Sequence, residues 1–198
     1  MIELNTPLAK GIVIKNNILF FTKSCLSQWY GAYKGQAHKL DIPPLFFYNS
    51  NLIWWQDITL IHKPISFNCC EQAMMFCKAL LFKDKEIALK ILEETNPRYQ
   101  KDLGRQVKNY DDSTWNERRF AAIKTINKFK FRDNPDLKEF LLSTGNLILA
   151  ELNPKEGDMV WSCGLTLDDA DITDVTTWQG QNLLGRVLMA VREELRDD

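Results

Sequence analysis

Asn68-Cys-Cys-Glu-Gln-Ala-Met-Met-Phe-Cys-Lys-Ala79 is the stretch from which the fold can be read outward. Asn68 offers an N-cap for a helix over about 69–82, with Met74, Cys77 and Leu81 spaced as its core stripe. Glu71, Met75, Lys78 and Phe82 occupy a different face. Residues seven apart on a helix lie ~20° and ~10.5 Å of rise from each other, so Glu71 and Lys78 leave one wall together. A carboxylate and an amine so placed suit proton transfer, or carbonyl condensation assisted by an acid. The bland alternatives are a capping-box carboxylate three residues after Asn68 and a solvated lysine.

Around this helix the chain alternates short apolar runs with capped helical ones. Residues 11–21 read as two strands about an Asn16-Asn17 turn. Residues 35–66 form a loop insertion containing Pro43-Pro44, with Ile58-Thr-Leu-Ile61 as a further candidate strand. Asp84 caps a helix over about 85–95, burying Ile87, Ile91 and Leu92, and Pro97 opens a short one ending near Gly104. Thr114-Trp-Asn-Glu117 has the capping-box pattern for a helix to about Phe129. Another helix is expected at 135–143, a strand at 147–152, and a closing helix from Asn182. That helix should face Leu183, Val187, Ala190, Val191 and Leu195 inward. The expectation is an α+β, helix-rich single domain over residues 1–198 with a small β-sheet.

Composition excludes several classes. Hydrophobic residues make up 45% of the 198, enough for a sizeable core, and a net charge of -1 argues against a general polyanion or membrane surface. Five cysteines without a CxxC, and only two histidines, argue against zinc and against a disulfide framework. With no signal-like start and no membrane-length apolar run, the expected setting is the cytoplasm. The chain has neither a P-loop nor a GxGxxG.

Other residues are candidates for ligand contact, each with an ordinary structural alternative. Arg105 in Leu103-Gly-Arg-Gln-Val107 can grip phosphate with both prongs of its guanidinium, or simply be solvated at the surface. Asp158 can orient a water or ribose hydroxyl, or simply close a turn, and Trp161 can stack on a base. Gly180 and Asn182 stand at a helix start, where backbone N–H groups favour anions; ordinary capping, with the small Gly185 at a tight helix contact, is the alternative.

In this order, the motifs resemble the NADAR (YbiA-like) family. The blocks are Phe21-Thr-Lys-Ser-Cys-Leu-Ser-Gln-Trp-Tyr30, Cys70 to Ala79, Leu103 to Val107, and Trp115 with Lys128-Phe129. Leu142-Ser-Thr-Gly145, Glu151 with Pro154, Gly157 to Trp161, Gly164-Leu165 and Trp178 to Met189 continue the likeness over about residues 20–195. Three features depart from it: Gly31-Ala-Tyr33 after Trp-Tyr, the expanded loop, and Trp161-Ser-Cys-Gly164 in place of Trp-Gly.

The resemblance implies a YbiA-like fold and an N-glycosidase that cleaves between ribose and a base without cofactor or metal. Its substrate would be ADP-ribosylated guanine, in nucleotide or nucleic acid, or a phosphorylated ribosylamino-pyrimidine of riboflavin biosynthesis. Glu71, Lys78 and Asp158 would be catalytic: Lys78 as an imine-forming nucleophile at ribose C1 or as a phosphate contact, Glu71 as proton shuttle, Asp158 positioning water. Arg105 and Lys23 would meet phosphate, Trp29, Trp115 and Trp161 would wall the base, and Asn182 would contribute to binding. The contrasting class is a non-catalytic ADP-ribose or NAD-derived nucleotide binding module.

Overall fold

The computed structural model describes residues 2–33, 35–36, 38–43, 64–152 and 158–197. These contain β1 (Ile12–Lys15), β2 (Ile18–Phe21), β3 (Asp41–Ile42), β4 (Ile65–Ser66) and β5 (Ile148–Glu151). The helices are α1 (Cys70–Leu81), α2 (Lys85–Glu93), α3 (Pro97–Arg105), α4 (Asp112–Arg132), α5 (Pro135–Ser143) and α6 (Leu183–Arg196). The α+β class expected from sequence is the one observed. The chain forms two compact units, Met1–Ser27 with Pro135–Asp198, and Gln28–Asn134.

The first unit is built on a three-stranded sheet in the order β1-β2-β5. β1 and β2 form a hairpin through Asn16, whose positive φ of 52 is tolerated by asparagine better than by most side chains. β5 runs parallel to β2, with Leu19 opposite Leu149 and Phe20 opposite Ala150. All four residues of β2 are buried, as a central strand covered on both faces requires. One face carries Phe20, Ala150, Leu152, Cys163, Leu165 and Ile172, with the Trp178 ring edge-on to Phe20 at 6.4 Å.

Helix α6 packs on β5 through Gly185, where an added methyl would overlap the Leu149 carbonyl oxygen. Leu183, Val187, Val191 and Leu195 are buried as the periodicity predicts, while Ala190 is only partly so. Arg192 is also buried on this helix, donating to Thr144 Oγ1 at 2.8 Å and to the Leu147 carbonyl at 2.9 Å. Those bonds tie α6 to the turn after α5.

The second unit surrounds α1. Ten of its twelve residues are buried and only Lys78 and Leu81 are partly exposed, so a single core stripe understates the burial. The helix is enclosed on nearly every side. Helix α2 begins at the Asp84 cap, whose carboxylate accepts from Ile87 N–H at 3.2 Å; Ile87, Ala88 and Ile91 are its buried residues, and Leu92 is half-buried.

Helix α3 ends at Arg105, one residue past Gly104 and close to the expected end. A methyl at Gly104 would strike the Met75 thioether, so the missing side chain lets α3 approach α1 closely. Helix α4 starts two residues before the predicted capping box: Asp111 is the N-cap, accepting from Thr114 N–H at 2.8 Å. It continues to Arg132, three residues past the predicted end. A two-stranded ladder, β3 with β4, lies within the 35–66 insertion, and the strand proposed at Ile58–Ile61 lies outside the described residues.

Candidate active site

The first turn of α1 shows which groups cap the helix beside Glu71. Cys69 is the N-cap, one residue after the expected Asn68, and has no side-chain capping bond. The reciprocal capping role belongs to Gln72, whose Oε1 accepts from Asn68 N–H at 2.8 Å. Asn68 spends its own carboxamide on the Thr95 carbonyl and on Gln100. Glu71 is the acidic residue of this first turn.

Its carboxylate accepts from the Trp29 indole N–H, Nε1 to Oε2, at 3.2 Å. Its backbone N–H donates to the Gln28 carbonyl at 3.1 Å. The turn holding residues 28 and 29 thus fixes both ends of Glu71, which is 4% exposed.

Lys78 stands two turns along α1 and is half-buried, its Nζ 4.1 Å from the centre of the Tyr110 ring. Burial lowers its pKa from the ordinary lysine value; the Asp112 charge opposes that, Arg105 adds to it, and Glu71 opposes it more weakly. Glu71 and Lys78 are therefore electrostatic neighbours, as their spacing predicts. A lowered pKa increases the fraction of free amine at a given pH, which a nucleophilic lysine needs.

Two residues that sequence reasoning passed over complete this surrounding. Tyr110 donates through its hydroxyl to Asp112 Oδ1 at 2.6 Å, and its ring meets Phe82 edge-on at 5.2 Å. Burial first, and the Asp112 bond second, push the Tyr110 phenol up to about 12. The sequence signal was the aromatic Tyr110 directly before the Asp111-Asp112 pair that starts α4.

Arg105 closes α3 and is largely exposed, paired with Asp102 at 2.9 Å. Its charge reaches Lys78, and its exposure leaves the guanidinium within reach of solvent-borne anions. Trp115, in the first turn of α4, is 7% exposed. Trp29 packs at 6.5 Å from the ring of Tyr33. Trp29, Glu71, Lys78, Arg105 and Trp115 all belong to the second unit.

Lys23, Asp158, Trp161 and Asn182 belong to the first unit. Lys23 is exposed just after β2, with a positive φ of 51. Asp158 uses one carboxylate oxygen to accept from Trp161 N–H at 2.9 Å, closing the turn that carries that tryptophan. Trp161 is partly buried.

Asn182 is buried and spends its carboxamide on β5, donating to Leu149 O at 2.8 Å and accepting from Glu151 N–H at 3.1 Å. The expected anion cradle at this helix start is corrected here. The N–H groups of Asn182, Leu183 and Leu184 already donate to the carbonyls of Ser162, Val160 and Trp161. Those donors have been taken by the tryptophan turn.

The five cysteines are free and buried. Burial raises the thiol pKa to about 12 in Cys69, about 11 in Cys70 and about 12 in Cys77, which leaves none of these three as a thiolate at neutral pH. Among the described residues no three His, Cys, Asp or Glu side chains are grouped to hold a metal, and no helix is long and apolar enough to cross a membrane.

Comparison with known proteins agrees with the motif order. The NADAR domain profile matches residues 19–196. The chain is 43% identical to the protein named N-glycosidase R617 of Acanthamoeba polyphaga mimivirus over 124 residues, which cover 63% of this chain and 72% of that one. It is 38% identical to Protein irg-1 of Caenorhabditis elegans, over 67% of this chain and 63% of that one. A protein named Riboflavin biosynthesis protein VVA0006, from Vibrio vulnificus, is 29% identical over 67% of this chain, spanning only 33% of its own length. Among solved structures, that of the E. coli protein YbiA matches with a TM-score of 0.63 at 18% identity, covering 96% of this chain and 92% of YbiA. With that profile covering nearly the whole chain, this protein is a member of the NADAR family.

Proposed function

We propose that the protein is an N-glycosidase that hydrolyses the C–N bond between a phosphorylated ribose and a flat base. The observation that carries this reading is the buried Glu71 carboxylate, gripped by Trp29, on the same helix wall as a half-buried Lys78 whose amine is lowered in pKa. The naming of a 43%-identical relative as an N-glycosidase supports the same chemistry. Two substrate groups share the required ribosyl phosphate: ADP-ribose linked to guanine, and a phosphorylated ribosylamino-pyrimidine.

In this reading Lys78 attacks ribose C1 of the ring-opened sugar and forms an imine. The C1–N bond to the base breaks as the imine forms: Glu71 takes the proton shed by the attacking amine and passes it to the departing base nitrogen, and water then hydrolyses the imine, freeing the sugar and restoring the amine. Each proton transfer of this type contributes ~10²–10⁴-fold to rate. Arg105, exposed at the end of α3, meets phosphate, and Trp29 and Trp115 provide aromatic surface for the base. The resemblance adds Asp158 for positioning water, Trp161 for stacking and Lys23 for phosphate. Asn182 serves indirectly, by bracing the backbone that carries Trp161.

The test is incubation with both conjugates, reading released base by mass spectrometry. Release from one or both is expected. If neither is cleaved while ADP-ribose still binds, the protein is instead a reader of that nucleotide. Borohydride added during turnover should trap the sugar on Lys78; active turnover without an adduct would leave Lys78 as a phosphate contact.

A further inference from the structure

The turn that fixes Glu71 contains a buried polar side chain without a hydrogen-bond partner among the described residues. Gln28 is 6% exposed, yet neither its carboxamide nitrogen nor its oxygen has a hydrogen-bond partner among the described residues. Leaving both atoms of a buried amide unsatisfied costs free energy, and an apolar side chain of similar shape would avoid it. Its position is specific. The backbone carbonyl of Gln28 holds the Glu71 N–H, and the next residue, Trp29, holds the Glu71 carboxylate. The unsatisfied amide thus stems from the residue that anchors the proposed acid.

We propose that Gln28 is a substrate-positioning residue whose carboxamide engages a ribose hydroxyl beside Glu71. A hydroxyl both donates and accepts, and a carboxamide offers the complementary acceptor and donors on one planar group. Being neutral, it can do this next to a carboxylate without shifting the charge balance on which Glu71 and Lys78 depend. A desolvated amide is also selective, since a ligand lacking the hydroxyl leaves it unpaired. The proposal rests on the glycosidase reading for its ligand class, and is tested by binding so that the two can fail separately.

The experiment compares the wild type with Gln28→Met, using calorimetric titration with ADP-ribose and with ribose 5-phosphate, and thermal melting without ligand. The expected result is a melting temperature equal to or above that of the wild type, with binding weakened about tenfold or more. Loss of binding alongside an unimpaired fold is an outcome a structural role would not produce. Unchanged affinity would overturn the proposal and leave the amide as a site hydrated by internal water. A variant that melts well below the wild type would also overturn it, as would a wild type that binds neither probe. Base release is followed in parallel: binding that depends on Gln28 without any release would sink the glycosidase reading and keep this one.

Discussion

The Trp29 indole nitrogen donates to Glu71 Oε2 across 3.2 Å, joining residues 42 positions apart in the chain. In the same turn of α1, Gln72 rather than Glu71 accepts from Asn68 N–H. Trp29→Phe keeps the aromatic bulk and removes the donor. It should cost about 1–3 kcal/mol of stability and lower base release several-fold, whereas Glu71→Gln should lower release by about 10²–10⁴-fold. Steady-state rates beside denaturation curves check both; a Glu71→Gln enzyme as fast as wild type would remove the proton-shuttle role.

The charges around Lys78 predict opposite movements of one pH profile. If the free amine is the reactive form, base release rises with pH, and burial places that rise below the ordinary lysine pKa. Asp112 favours the protonated amine, so Asp112→Asn should move the rise to lower pH. Arg105 disfavours it, so Arg105→Met should move the rise to higher pH, in addition to weakening phosphate binding. Profiles of kcat against pH for the three proteins decide; shifts of the same sign in both variants would contradict the assignment.

Two glycines should respond differently to a single methyl group. At Gly104 the methyl meets the Met75 thioether, a flexible side chain that can turn aside, so Gly104→Ala should cost about 1–2 kcal/mol. At Gly185 it meets the Leu149 backbone carbonyl, which cannot move without disturbing β5. Gly185→Ala should therefore cost about 3 kcal/mol. Urea denaturation of both variants gives the comparison, and equal losses would contradict it.

His38 supplies a stability prediction. Burial, and secondarily the Lys130 charge, depress its pKa from 6.5 to about 4. Between those values the unfolded chain takes up a proton that the folded chain refuses, so stability falls as pH falls through the window. From pH 7 to pH 5 the wild type should lose roughly 1–2 kcal/mol more than His38→Gln, measured by chemical denaturation at both pH values. An equal loss in the two proteins would show that His38 titrates normally.

What the sequence alone determined here was local. Helix periodicity, the Asp84 cap, Pro97 at a helix start and the hairpin at Asn16 each depend on residues a few positions apart, and the observed elements follow them closely. The seven-residue spacing of Glu71 and Lys78 belongs to the same class, because helical geometry places both on one wall wherever that helix packs. The ordered motifs further pointed to the family before any contact was known.

Tertiary structure decided what those groups touch. Hydrogen bonds and burial depend on partners distant in the chain: Trp29 for Glu71, Tyr110 and Asp112 around Lys78, and the residues 160–162 carbonyls that occupy the start of α6. Periodicity could not show that α1 is enclosed on nearly all sides, nor that Gly104 serves a helix contact. The unpaired carboxamide of Gln28 is the extreme case, since a glutamine in sequence carries no sign of whether its hydrogen bonds are made.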